Sequence, residues 1–366
     1  MQSSQDQKRS RRSVNRRTRR LLFVSIYLLF VLSLCEIGCR VYWKITAAVP
    51  FLRPRDALFT FYPELRDSGL GEKTVRNDDD CFDVLLLGGS VFHRDYGDIP
   101  SKLQQSLNAE LKRPIRVYNV SNIGRTSFDS LERYRLLREH RFDLVIVYDG
   151  INDARMNHCP REVFRDDYSH CDWYDRWARF KRHPEFAYLT LPYTLEHAVI
   201  DIKLRAGWGD YIPRLRPRKK WIMESADIKT EHTFRANMNQ IVSLAHERQE
   251  PILLMTFANY LPADYSELSF QNHELDFADH TTPVRIWGEP QAVARALRLH
   301  NQILTDIAAQ DRSILFLDQN AGIAKSKTNF NDICHLTSTG CSQWVENAVL
   351  ALRPAISERN LAELSR

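Results

Sequence analysis

Five short apolar runs, at residues 84–87, 115–120, 144–148, 252–256 and 314–317, alternate along the chain with longer stretches of helical period. Runs this short and this continuously apolar suit strands covered on both faces. Strands that alternate with helices form a parallel sheet, because each crossover returns the chain to the same end of the sheet. The spacing predicts helices over 100–112, 127–138, 231–248, 290–309 and 337–350. The expected fold is therefore α/β, a three-layer α/β/α sandwich around five parallel strands.

The ends of the chain say something different. Of the total formal charge of +5, the first twenty residues contribute +7, from eight Lys/Arg against Asp6, so the remainder is slightly acidic. This tail, "KRSRRSVNRRTRR", abuts "LLFVSIYLLFVLSLCEIGC", in which no charge appears before Glu36. Residues 21–39 would rise roughly 28 Å as a helix, close to the hydrocarbon thickness of a bilayer. Tyr42 and Trp43 follow where an interfacial aromatic belt belongs. Residues 1–20 are read as a basic cytoplasmic tail and 21–43 as a transmembrane anchor. The positive-inside rule then puts the remainder outside the cytoplasmic membrane. A cleavable signal peptide fits less well, because Thr46, Ala47 and Ala48 lie too far beyond the apolar run. A nucleic-acid partner is disfavoured, since the basicity is confined to the tail.

Residues 44–80, rich in Pro and aromatics, read as a connector, and 81–366 as the globular domain. Within the domain, 154–229 shows no clean period and is read as an insertion of short helices over the carboxyl edge of the sheet, since a structureless loop of that length is uncommon.

Ligands of open parallel sheets bind outside the carboxyl ends of the strands. The residues there are polar and specific: "GGS" at 88–90, "NVSNIGRTS" with Gly124, "YDGINDAR" with Asn152 and Asp153, and "DICH" at 332–335. Acyl transfer needs a nucleophile, a base, a group that orients the base, and donors for the oxyanion. Ser90, His335 and Asp332 supply the first three. The amides of Ser90 and Gly124 with the Asn152 side chain supply the donors.

These four segments, in this order, resemble the sequence blocks of the SGNH (GDSL-like) hydrolases. "GGSV" resembles the nucleophile block, Gly124 the second-block glycine, "GIND" the Gly-x-Asn-Asp block and "DICH" the Asp-x-x-His block. The resemblance runs from Asp83 to His335. It departs at Gly89, where the family's name-giving Asp would stand, and at Val91. It implies a flavodoxin-like hydrolase fold and a serine esterase with a Ser90-His335-Asp332 triad, needing no cofactor or metal. The implied substrate is a carboxylic ester, with an acylated carbohydrate or lipid as candidates. An acyltransferase on an envelope polysaccharide would use the same residues, and a glycan-binding module on the same fold is the non-catalytic alternative.

Other features are read more plainly. His93 and Arg94 begin a solvated loop, and Asp153 supports its own turn. The His158-Cys159 and His170-Cys171 pairs suit a Cys159 to Cys171 disulfide better than zinc, whose ligands are usually spaced further apart. Cys334 and Cys341 are near enough in sequence to pair and pin His335. Trp173, Tyr174 and Trp177 suit either a sugar platform or packing.

Overall fold

The computed structural model describes residues 3–71, 73–76, 80–110, 114–209 and 218–364. The last two residues of the helix expected over 100–112 and positions 210–217 of the insertion lie outside the described residues. In chain order the elements used below are α1 (Ser3–Ala47), β1 (Phe82–Gly88), α2 (Ile99–Glu110), β2 (Ile115–Asn119), α3 (Ser127–Leu136), β3 (Leu144–Tyr148), α4 (Leu191–Arg205), α5 (Glu231–Glu247), β4 (Ile252–Met255), α6 (Pro290–Gln310), β5 (Leu315–Leu317) and α7 (Ser338–Leu364).

The chain groups into two compact units: Met1–Phe61 with Trp177–Gly209, and Tyr62–Arg176 with Asp210–Arg366. The second unit holds the sheet. Its five strands are all parallel, in the order β2-β1-β3-β4-β5, which is the doubly wound, flavodoxin-like order. All five expected strands are present. Every residue of β1, β3 and β4 is buried, the signature of a sheet covered on both faces. Val84 and Leu86 of β1 share a core cluster with Leu103 and Leu107 of α2 and Trp344 of α7. On the other side α3 packs on α5, and α5 on α6.

The order reverses between β1 and β3, so the crevice outside their carboxyl ends is the topological switch point. Ser90 follows β1, and Asn152 follows β3.

The first unit is built on α1, whose segment Thr18–Ala47 is long and apolar enough to cross a membrane and has none of its apolar window buried. A small core of Val49, Ala57, Phe186 and Tyr193 packs with Trp43 and Phe180. The stretch read as one insertion thus divides. Residues up to Arg176 belong with the sheet, and Trp177–Gly209 belong with α1.

Candidate active site

Ser90 opens a single 3-10 turn, Ser90–Phe92, directly after the Gly88-Gly89 end of β1. As the first residue of that turn, its N–H has no carbonyl to bond within it. Its Oγ lies 2.9 Å from Nε2 of His335. The other ring nitrogen, Nδ1, is 2.6 Å from Oδ2 of Asp332. The network assigns the tautomer: Nδ1–H donates to the carboxylate, and Nε2 is left to accept from the serine hydroxyl. Ser90, Asp332 and His335 are all buried.

The histidine loop is held locally. Phe330 and Leu336 form an antiparallel bridge, and Asn331 N donates to His335 O at 2.8 Å. Asp332 Oδ1 accepts from the backbone N–H groups of Cys334 and His335 at 2.9 and 2.8 Å. Thr281 Oγ1 donates to Oδ2 at 2.7 Å. Burial alone would raise the Asp332 pKa, but His335 and these hydrogen bonds hold it below the usual carboxylate value. The Tyr96 ring stacks on the imidazole at 4.0 Å with an interplanar angle of 15°.

The side of the site that carries Asn152 is built differently. Asn152 sits in a short helix, Ile151–Ala154, after β3, and its amide is oriented from both ends. Oδ1 accepts from Nε1 of Trp287 at 3.1 Å, and Nδ2 donates to the carbonyl of Arg125 at 2.8 Å. An amide nitrogen carries two hydrogens, so one N–H remains for a ligand. A Cβ on Gly89 would lie 2.8 Å from that Nδ2 and 3.2 Å from Arg125 O. A side chain at position 89 would therefore crowd the Asn152 amide unless that amide shifted.

Gly124 has φ 73°, in the left-handed region that glycine enters at little cost. The loop that carries it is fastened by two buried arginines. Glu64 reaches in from the short helix Pro63–Asp67 and takes Arg125 through two contacts, at 2.8 and 3.0 Å. It also meets Arg133 at 3.3 Å and accepts from Asn122 at 3.1 Å. Arg133 donates to the carbonyls of Val120 and Gly88, tying the ends of β2 and β1 together. Burial alone would lower the Arg125 pKa, but the Asp129 and Glu64 carboxylates more than offset this and raise it.

Asp153 accepts from Ser127 N and Oγ at 2.9 and 2.5 Å and from the Tyr168 hydroxyl at 2.9 Å, so it joins the loop after β3 to the start of α3. Burial, with the neighbouring Asp149 charge, pushes its pKa up to about 7. Asp149 itself is pushed by burial to about 6.

Ser90, His335 and Asp332 therefore meet in one place. Asn152 faces them across Gly89, and Gly124 adjoins the residue whose carbonyl holds Asn152. Tyr96, Thr281, Trp287 and Glu64 were not anticipated. Thr281, Trp287 and Glu64 reach the site from segments remote from the four blocks, and Tyr96, five residues past the first block, meets His335 across 239 positions of chain, so no local spacing marks any of them. His93 accepts from Asp95 N at 3.4 Å on a half-exposed turn, in line with a loop role.

Three expectations need correction or narrowing. No disulfide joins Cys159 to Cys171 or Cys334 to Cys341. Cys159 Sγ donates to the Met156 carbonyl at 3.8 Å. Cys334 Sγ turns toward His335 Nδ1 at 3.6 Å, while Cys341 Sγ donates to Tyr96 O at 3.6 Å, so these two thiols have separate partners. Tyr174 and Trp177 are buried and serve packing rather than a sugar platform: the Tyr174 hydroxyl donates to Asp129, and Trp177 lies against Phe61 and Phe180. Among the described residues the metal-ligand types that cluster are Asp332, Cys334 and His335, within 4.8 Å of one another. Their carboxylate and imidazole are already bonded to each other, so a metal there would have to break the Asp-His contact.

No family model matches the chain, and no curated protein matches it. Solved structures to which it is similar include a GDSL-like lipase from Bacteroides thetaiotaomicron VPI-5482, at 12% identity and TM-score 0.44, covering 80% of this chain and 98% of that one. A lipase/acylhydrolase from Enterococcus faecalis is similar at 14% identity and TM-score 0.39, covering 75% and 96%. Axe2, an acetylxylan esterase from Geobacillus stearothermophilus, is similar at 16% identity and TM-score 0.38, covering 74% and 94%. These neighbours are a GDSL-like lipase, an acylhydrolase and an esterase at remote similarity.

Proposed function

We propose that this protein is a serine hydrolase of carboxylic esters, with Ser90 as nucleophile, His335 as general base and acid, and Asp332 as the group that orients His335. The observation that carries this reading is the unbroken relay from Ser90 Oγ through His335 to Asp332, at 2.9 and 2.6 Å. As Oγ attacks the ester carbonyl, its proton passes to Nε2, and the buried Asp332 carboxylate stabilises the imidazolium. Charge developing on the carbonyl oxygen meets the amides of Ser90 and Gly124 and the remaining N–H of Asn152. His335 then protonates the leaving alcohol. Water, deprotonated by the same Nε2, releases the acyl group from Ser90.

A polar cleft of about 830 Å³ opens on the loop that follows the nucleophile, lined by His93, Arg94, Gln104, Asn119 and Asn122 but not by Ser90, Asn152 or His335 themselves. Such a lining matches a hydroxyl-rich alcohol. A second reading, in which a sugar hydroxyl instead of water accepts the acyl group, would use the same Ser90, His335 and Asp332.

The long apolar helix preceded by a basic tail supports a single-pass anchor with the N-terminus cytoplasmic and the hydrolase unit outside the cytoplasmic membrane.

Hydrolysis of p-nitrophenyl acetate and butyrate by the full chain in detergent, wild type against Ser90→Ala, tests the reading. Cleavage by the wild type, lost by about 10⁴-fold or more in the variant, is expected. Equal rates in both proteins would overturn it. Acceleration of p-nitrophenol release by added oligosaccharide, with acyl-sugar formed, would select the transferase reading.

A further inference from the structure

Helix α4 lies in the stretch whose sequence showed no clean period, and its surroundings within the α1 unit explain why. Its N-terminus is capped by a residue far away in sequence. Glu36, the one acid within the apolar run of α1, accepts from Thr190 N at 3.0 and 2.9 Å, from Thr190 Oγ1 at 3.1 Å and from Leu191 N at 2.9 Å. A carboxylate at a helix N-terminus satisfies otherwise unbonded N–H groups and meets the positive end of the helix dipole. Arg40 completes the arrangement, pairing with Glu36 at 2.7 Å and donating to Phe51 O and Tyr188 O. One turn on, Trp43 stacks on Tyr193 at 5.4 Å and donates to Thr194 at 2.7 Å.

Two consequences follow. A charge within a membrane-spanning run is costly unless paired, and here its pairing is supplied by α4. Glu36 also stands three residues, about 5 Å, inside the end of the apolar run at Cys39, so α4 begins at that depth.

From there α4 presents apolar side chains to the outside: Leu195, Val199 and Ile202 are 59%, 53% and 66% exposed, on one face at helical spacing, followed by Trp208 at 68%. The α1 surface beside it is also apolar and exposed at Leu34, Ile37 and Tyr42. Between the two helices runs a groove of about 590 Å³ lined by Gly38, Tyr42, Leu195, Ala198 and Ile202. At the far end of α4 Lys203 stands exposed, where a long basic side chain reaches headgroups, while Arg205 pairs with Asp201 at 2.8 Å beside the groove.

We propose that α4 is a second lipid-contacting element, lying in the outer boundary of the bilayer with Leu195, Val199 and Ile202 among acyl chains. What commits this face to lipid is its continuity with the exposed apolar surface of α1. The inference rests on the membrane reading of α1. A helix of this kind buries its apolar face about 5–10 Å into the boundary between headgroups and chains.

The test uses the full chain in phosphatidylcholine/phosphatidylglycerol vesicles, with Cys35, Cys39 and Cys81 replaced by Ser. Single Cys variants, Leu28→Cys, Val199→Cys, Ile202→Cys and Arg161→Cys, carry an environment-sensitive NBD label, and quenching by brominated acyl chains is read. Val199→Cys and Ile202→Cys are expected to show at least about half the quenching of Leu28→Cys, with Arg161→Cys near zero. Quenching at Leu28→Cys alone would overturn the proposal while leaving the anchor intact. No quenching at Leu28→Cys would overturn the anchor reading and this one with it. A blue-shifted label at Val199→Cys that ignores brominated lipid and depends on protein-to-lipid ratio would show a second copy on this face, which also overturns it.

Discussion

The two sides of the candidate site are made in contrasting ways. The histidine side is local: Asp332 and His335 stand three residues apart in one loop, and that loop supplies three of the contacts that hold the carboxylate. The oxyanion side is assembled from afar. Asn152 is set by Trp287 and Arg125, and Arg125 by Glu64, 61 residues away. Electrostatics divide the same way. Asp332 is held low by His335 and its donors, whereas burial drives Asp153 and Asp149 up. A local loop fixes chemistry with few residues, while a distributed framework makes chemistry depend on the stability of the whole end of the sheet.

Substitutions on the two sides should therefore separate activity from stability. Asp332→Asn should lower kcat by about 10⁴-fold through the wrong imidazole tautomer. Its thermal midpoint should change little, and a variant as active as wild type would remove Asp332 from the mechanism. Glu64→Gln should act mainly on folding, since it removes the one carboxylate that meets both buried guanidiniums and leaves Arg125 only Asp129; a loss of about 3–5 kcal/mol in denaturant unfolding is expected. If stability is unchanged and only kcat falls, the framework is not what fixes the Gly124 loop.

Smaller effects sharpen the contrast. Asn152→Ala should cost about 10² to 10³ in kcat with KM nearly constant. Trp287→Phe keeps the packing but removes the hydrogen bond that orients Asn152, so about tenfold in kcat is expected, and no further loss in the Asn152→Ala background. The smallest test is a slope. With a folded pKa of about 7 against an unfolded value near 3.9, Asp153 binds more protons folded than unfolded in that window, so its contribution to stability falls as pH rises from about 4 to 7. Unfolding free energies measured across this range should decline less steeply for Asp153→Asn, and an unaltered slope would mean that the group ionises normally.

What was legible in the sequence follows the same division. Strands β1, β3 and β4 could be read because a strand covered on both faces must be a continuous apolar run, the partly buried edge strands β2 and β5 because they recur at the same alternation with helices, and the Asp332 to His335 spacing because both residues share a loop. Ser90, Gly124 and Asn152 follow strands, where the switch point of a doubly wound sheet collects them. Tyr96, Thr281, Trp287 and Glu64 left no local trace, since each acts through a contact between distant segments. Sequence proximity misled for Cys334 and Cys341, whose thiols take separate partners. The apolar face of α4 was hidden for a different reason: half of that helix is apolar toward Trp43 and half toward the outside, which blurs the period.

The account stands on Ser90 being a nucleophile made reactive by His335. The most direct measurement is labelling of the full chain with a fluorophosphonate, which reacts only with an activated serine, followed by mass-spectrometric mapping of the adduct. One adduct is expected, on Ser90, lost in Ser90→Ala and nearly lost in His335→Ala. An adduct on another serine, or unreduced labelling of Ser90 in His335→Ala, would contradict it.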